Sequence, residues 1–246
     1  MKTPSYIRIR EMGTLLITVV LVLIAGCEDK PQPTPKPKCP HCDKREREAA
    51  VLLESVDKIT VGGSTAPDGK TLVKCDLPID QRKRNISSKG LGCCVFRSLC
   101  HSARWQEVPQ LWGMAEWMVE KGVPGGGYPK KVDDLVPRIS KDRGMKPPDY
   151  LQYEGRDLSV LRRALATGRM PCVTYDGRDP HYSGTIAHMV NLVYLDEHQA
   201  CILDNNFVDE NELVWMSAAE FKTRWGGDGG WAVVLISPPP PPVPMN

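Results

Sequence analysis

Two proline runs fence off the part of this chain that can build a core. Lys30 to Lys38 reads Lys-Pro-Gln-Pro-Thr-Pro-Lys-Pro-Lys, and Ser237 is followed by five prolines, Pro238 to Pro242. Proline fixes φ and lacks the N–H, so such runs stay extended and act as semi-rigid spacers. The fold must therefore come from residues 45–236, with 27–44 as linker and 237–246 as tail. That stretch of roughly 190 residues is enough for one substantial core.

Inside it the periodicity changes halfway. Glu46 to Val56 has helical spacing, with Ala49, Leu52, Leu53 and Val56 on one side. Gly62-Gly63 and Pro67-Asp68-Gly69 are turn signals ahead of Thr71-Leu72-Val73. Helices are predicted from Cys94 to about Glu107, from Pro109 to Lys121 with Gly122 as the stop, and from Pro129 to about Ser140. After a helix over Leu158–Thr167, the apolar runs Pro171–Tyr175, His188–Leu195, Ala200–Leu203 and Trp231–Ile236 read as strands. Ser217 with Glu220 three residues later is a capping box opening a helix to Trp225. Helices first and strands second imply an α+β fold, with two lobes meeting at a cleft.

The first 26 residues have a different character. Lys2, Arg8 and Arg10 make a basic start, and Met12 to Ala25 is an uncharged, mostly apolar run. About 14 residues is short for a span, which needs about 20, and fits an export signal or a short anchor. Its ending, Ala25-Gly26-Cys27, resembles a bacterial lipoprotein signal. That resemblance implies cleavage before Cys27, acylation of its thiol, and a membrane-anchored exported protein. Without residues 1–26 the chain carries 29 basic and 29 acidic side chains. Such a balance, with no basic stripe, excludes nucleic acid as the expected partner.

Nine cysteines are many, and export would permit disulfides. Cys39-Pro40-His41-Cys42 has the spacing of thiol-disulfide oxidoreductases, but it lies in the linker with no βαβ unit around it. A zinc site needs a second ligand pair, and none follows at a suitable spacing, so no metal or organic cofactor is expected.

Gly90-Leu91-Gly92-Cys93-Cys94-Val95-Phe96-Arg97-Ser98 is a glycine-rich turn running into a helix headed by a cysteine. A thiol attacks only as thiolate, and a free cysteine with pKa about 8.5 supplies little of it at neutral pH. A helix N-terminus and an imidazolium both favour the anion, and a group holding the imidazole completes the set. If the helix runs from Cys94, Cys93 is pre-helical and points elsewhere, which leaves Cys94 as nucleophile.

Of five histidines, His41 is in the linker and His198 in a polar turn. His101 is about two helical turns from Cys94, roughly 10 Å, too far for a hydrogen bond. His181 lies in a Gly/Asp/Pro loop that can reach a cleft. His188 opens the most apolar strand, and Asp204 ends the next one after the turn Asp196-Glu197-His198-Gln199. That hairpin is expected to set residues 188 and 204 opposite each other on one face. Asn205 or Asn206 could serve in place of Asp204.

The order Cys94, His188, Asp204 resembles that of the papain-like cysteine peptidases. Gly92-Cys93-Cys94 with Ser98 resembles that family's nucleophile segment, and Gly126-Gly127-Tyr128-Pro129 its Gly-Gly-Tyr-Pro. Aspartate rather than asparagine at 204 is closer to the bacteriocin-leader-processing branch of the same fold. The resemblance spans roughly residues 85–231. It implies a Cys-His-Asp triad, an acyl-enzyme intermediate, and backbone groups of Gly126 and Gly127 that pair with a peptide or protein substrate.

Two features depart from that family. The glutamine that donates to the oxyanion, six residues before the nucleophile, is replaced by Ser88. Asn85 could supply a donor if its loop folds back. The Asn-Ser-Trp segment after the histidine strand is also absent. The expectation is a cysteine hydrolase of peptide or amide bonds. The alternative is a catalytically inactive, peptide-binding lipoprotein on the same fold.

Overall fold

The computed structural model describes residues 73, 75–177, 182, 184, 186–208, 213–227 and 229–237. The signal and linker (residues 1–44, with Cys27, Cys39 and Cys42), the helix over Glu46–Val56, His181 and the tail beyond Ser237 lie outside the described residues.

Lys89 and Gly90 both take positive φ, 50° and 78°. Two such residues in succession make the turn whose twist matches a tight hairpin. Ser87–Ser88 (β1) thereby pairs antiparallel with Leu91–Gly92 (β2). This hairpin runs directly into helix α1, Cys94–Trp105. Val95 to Ala103 are buried without exception. A helix with no wet face must be covered on all sides.

The sequence predicts one helix over Pro109–Lys121; the structure has two pieces. Pro109–Leu111 is a single 3-10 turn, and α2 runs from Met114 to Glu120. Gly113 between them is left-handed, φ 63° and ψ 28°, a conformation that reverses the chain and that the helical pattern alone conceals. Helix α3 is Pro129–Asp142, opened by its proline as expected. Helix α4, Ser159–Ala166, follows a strand the sequence reading did not anticipate, β3, Tyr150–Glu154. Its alternation is weak because it is an edge strand, paired on one side only, to Trp231–Leu235.

The remaining elements are β4 (Cys172–Asp176), β5 (Ala187–Leu195), β6 (Gln199–Leu203), β7 (Val214–Ser217), α5 (Ala218–Gly227) and β8 (Trp231–Leu235). Ser217 Oγ accepts from the Glu220 N–H at 3.1 Å, the cap predicted for α5. Six strands form one antiparallel sheet in the order β3-β8-β4-β5-β6-β7.

Period-two alternation along the central strands feeds two cores. Cys172, Met189, Trp231, Val233 and Leu235 join α1, α2 and α3 on one face. Val173, Val190, Ala232 and Val234 join α4 and α5 on the other. The fold is α+β, with an antiparallel sheet covered by helices on both faces.

Candidate active site

Three buried hydrogen bonds tie α1 to β5. Ser98 Oγ donates to the Met189 carbonyl at 3.0 Å, and Asn191 Nδ2 donates to the Ser98 carbonyl at 3.0 Å and to Ser102 Oγ at 3.0 Å. The turn after β6 adds a second clamp. Asn205 Nδ2 lies 3.2 Å from the Cys94 carbonyl, 2.9 Å from Ser98 Oγ and 2.8 Å from the Met189 carbonyl. The start of α1, the start of β5 and the turn at 204–206 are thus held as one unit. Each carries one of the predicted residues Cys94, His188 and Asp204.

His188 and Asp204 meet, but not by the register expected. A bulge between Leu192 and Tyr194 shifts the β5–β6 pairing, so Asn191 faces Leu203. Continued outward, that register sets Val190 against Asp204 and His188 against Asn206. The strand ends at Leu203, and the turn closed by the Phe207 N–H on the Asp204 carbonyl (3.1 Å) swings the carboxylate across. His188 Nε2 then lies 2.8 Å from Asp204 Oδ1, with the two side chains 3% and 0% exposed.

Nε2 being engaged by Asp204, Nδ1 is the ring nitrogen left to interact with Cys94, and each of the two groups shifts the other. Burial pushes the Cys94 thiol up, but the interaction with the His188 imidazolium and the N–H groups of Met189 and Val95 outweigh it. Cys94 is held below the ordinary thiol value. Burial alone would lower the His188 pKa; the bond to Asp204 and the interaction with Cys94 overcome it and raise the pKa to about 9. Asp204, although desolvated, is held below the usual carboxylate range by His188, by the Tyr182 hydroxyl and by the Asn206 N–H. Three adjacent groups therefore favour thiolate, imidazolium and carboxylate together.

Cys93, Cys100, Cys172 and Cys201 are shifted the opposite way from Cys94. Cys93 is fully buried and shifted upward by that burial, as are Cys100 and Cys201. Cys172 is pushed up to about 12. Cys93, Cys94, Cys100, Cys172 and Cys201 are all unbridged thiols. His101 is structural: its Nδ1 contacts Asn191 Oδ1 at 3.2 Å, and burial lowers its pKa to about 4. Among the described residues, no cluster of three or more His, Cys, Asp or Glu could hold a metal ion. No described helix is long and apolar enough to cross a membrane.

The two candidates for the oxyanion site separate clearly. Ser88 is buried and its hydroxyl donates to the Val123 carbonyl at 2.6 Å, so its hydrogen is committed and Ser88 is removed as a donor. Asn85 does fold back. Its N–H donates to the Asn205 carbonyl, and its Nδ2 donates to Asn206 Oδ1 at 3.1 Å. A Cβ built on Gly92 would lie 3.4 Å from Asn85 Nδ2. Gly92 has no positive φ, so its value here is the close approach of this amide to the chain ahead of Cys94. The Cys94 N–H, first of its helix, has no intrahelical acceptor.

The glycine loop needs a similar correction. Gly126 spends its N–H on the Gly92 carbonyl (2.7 Å), and its carbonyl already accepts from Lys131 Nζ (2.9 Å), so it has no N–H left to donate to an extended ligand. Gly127 makes no hydrogen bond among the described residues, and it packs against Val95, beside Cys94, so closely that a Cβ would sit 2.4 Å from Val95 Cγ2. Sequence reading missed Lys131, whose ammonium also collects the carbonyls of Pro124 (2.7 Å) and Gly125 (2.6 Å). It missed Tyr182 as well, whose hydroxyl lies 2.6 Å from Asp204 Oδ2. Neither position shows a pattern that periodicity or motif spacing would flag.

No protein-family model matches the sequence, and no curated protein matches it. Among solved structures the chain is similar to a "putative C39-like peptidase" from Bacillus anthracis. The two are 14% identical over 65% of this chain and 96% of that one, with a TM-score of 0.43. At that level of likeness, the chemistry has to be read from the side chains themselves.

Proposed function

We propose that this protein is a papain-like cysteine hydrolase that cleaves a peptide or amide bond, with Cys94 as nucleophile, His188 as acid and base, and Asp204 as the group that holds the imidazole. The observation that carries this reading is the pairing of a thiol shifted down with an imidazole shifted up. That combination arises at Cys94 and not at Cys93, Cys100, Cys172 or Cys201. A buried ion pair of this kind does no evident packing work, and perturbed groups of matched sign are the mark of reactive sites.

The chemistry follows from the geometry. The Cys94 thiolate attacks the carbonyl carbon, and the oxygen takes the electron pair. The Cys94 N–H and an Asn85 N–H donate to that oxygen. His188 gives its Nδ1 proton to the leaving nitrogen as the C–N bond breaks, leaving a thioester. The neutral imidazole then takes a proton from water, whose oxygen attacks the thioester, releasing the acid and restoring the ion pair. Asp204 keeps Nε2 protonated throughout. Gly127 offers backbone groups to an extended substrate, at the end of α1 where the thiol lies.

Export and acylation at Cys27 belong to the same proposal on the strength of the N-terminal sequence. A peptide-binding, non-catalytic role is favoured by one observation, the commitment of the Ser88 hydroxyl to the Val123 carbonyl, which takes Ser88 out of any oxyanion site. The two readings separate in one assay. A mixed peptide library is incubated with the full chain and with Cys94→Ala, and products are identified by mass spectrometry. Cleavage that vanishes in Cys94→Ala supports the hydrolase. Peptide retention without cleavage, unchanged in Cys94→Ala, supports the binding role.

A further inference from the structure

Asp204 is surrounded by more machinery than a histidine partner needs. Its Oδ1 accepts from His188 and from the Asn206 N–H at 2.8 Å, and its Oδ2 contacts the Tyr182 hydroxyl at 2.6 Å. Asn206 Nδ2 lies 3.0 Å from the Tyr182 hydroxyl, and Asn206 Oδ1 lies 3.1 Å from Asn85 Nδ2. One continuous chain of hydrogen bonds therefore joins the triad to the amide proposed to stabilise the oxyanion.

The direction of that chain follows from chemistry alone. An ionised carboxylate only accepts, so the hydrogen between Asp204 and Tyr182 belongs to the phenol. The Tyr182 oxygen, its hydrogen spent, can only accept from Asn206, which must turn its NH2 toward Tyr182. The oxygen of Asn206 then faces Asn85 and requires the NH2 of Asn85. One of the two Asn85 amide hydrogens is held there, and the other remains on the nitrogen beside Gly92. Were the chain reversed, Asn85 would present an oxygen, which repels an oxyanion.

Resting on the hydrolase reading above, we infer that Asn206 is a positioning residue, through which the carboxylate of Asp204 fixes the Asn85 amide with its nitrogen toward the oxyanion. The side chain of Asn206 makes its hydrogen bonds to Tyr182 and Asn85, and none to the thiol or the imidazole. It acts on carbonyl chemistry only through Asn85.

The test compares two reagents that share a nucleophile but not an oxyanion. Iodoacetamide is displaced at a saturated carbon, where no oxyanion forms. p-Nitrophenyl acetate is attacked at a carbonyl: the Sγ–C bond forms through a tetrahedral oxyanion, and the C–O bond to p-nitrophenolate breaks. Both rates at Cys94 are measured on the full chain, with Cys94→Ala subtracted as background, for wild type, Asn206→Ala, Asn85→Ala and the double variant.

We expect Asn206→Ala to keep the alkylation rate within about twofold across pH while acylation falls about tenfold or more, part of the loss seen when an oxyanion donor is removed outright. We expect the double variant to acylate no more slowly than Asn85→Ala, as for two residues acting as a unit. Unchanged acylation in Asn206→Ala, or additive losses in the double variant, would overturn the inference while leaving the hydrolase reading intact. A wild-type Cys94 slow toward both reagents at neutral pH would instead remove the hydrolase reading itself.

Discussion

His188 Nε2 and Asp204 Oδ1 stand 2.8 Å apart where almost no water reaches either side chain. In such a place an unpaired charge is costly, and removing one partner is worse than removing both. The pair also has a pH signature. His188 titrates near 6.5 in an unfolded chain and at about 9 here, so its contribution to stability is complete below about 6.5 and is lost as pH rises through 9. Asp204 is shifted down, so its contribution is present above the usual carboxylate range and is lost only as pH falls through its lowered value. Cys94, shifted down, works in the opposite sense over the same range, so the comparison is made without it. In a Cys94→Ala background the loss of unfolding free energy caused by His188→Ala should shrink, by about 1–2 kcal/mol, between pH 6.5 and pH 10 in denaturant titrations. A loss that is constant over that range in that background would show that Asp204 alone leaves the imidazole neutral.

The glycine loop makes a ranked prediction. A Cβ at Gly125 would lie 1.9 Å from the Leu91 carbonyl oxygen, and one at Gly127 would lie 2.4 Å from Val95 Cγ2. Gly126 has room but sits at φ 71°. Backbone yields less than a side-chain methyl, so Gly125→Ala should cost most, about 3 kcal/mol or more, Gly127→Ala about 1–3, and Gly126→Ala about 1. Thermal unfolding checks the order. Gly127→Ala should also slow thiol alkylation at Cys94, because the displaced Val95 follows it in sequence.

Much of this arrangement was legible in the chain. The cysteine-headed helix, the histidine strand and the aspartate that ends the next strand each announce themselves by spacing and apolar pattern. The expected register between those strands fails at the turn: a loop of Asp196 to Gln199 sets Leu195 against Ala200, which carries His188 past Asp204. The bulge at Leu192/Tyr194 then moves the pairing by one residue without leaving a mark in an unbroken apolar run. Nor could the fates of Ser88 and Gly126 be read, since their hydrogen bonds go to Val123, Gly92 and Lys131, fixed by packing rather than by local sequence. Gly113 split a predicted helix for the same reason: the pattern of buried positions continues through it, while the backbone turns left-handed.

Lys131 gathers the carbonyls of Pro124, Gly125 and Gly126 and is half-buried against the Phe96 ring, 5.6 Å from its centroid. Burial lowers its pKa, yet the carbonyls need its protons. Lys131→Met keeps the stem and removes the donors. It should cost about 1–2 kcal/mol of stability after discounting for solvent screening. With any peptide substrate found in the library assay, it should raise KM several-fold more than it lowers kcat if the loop, as proposed for Gly127, meets substrate backbone and not the reacting atoms. An equal fall in kcat and kcat/KM would place Lys131 in the chemical step instead.

The central claim is that Cys94 and His188 form a reactive ion pair, and thiol alkylation tests it most directly. The full chain is treated with iodoacetamide between about pH 5 and pH 10, and labelled cysteines are mapped by peptide mass for wild type and His188→Ala. The account predicts selective labelling of Cys94 well below its ordinary titration near pH 8.5, and a shift of that labelling to higher pH when His188 is lost. Labelling of Cys94 that rises only near pH 8.5, in step with other accessible cysteines and indifferent to His188, would contradict it.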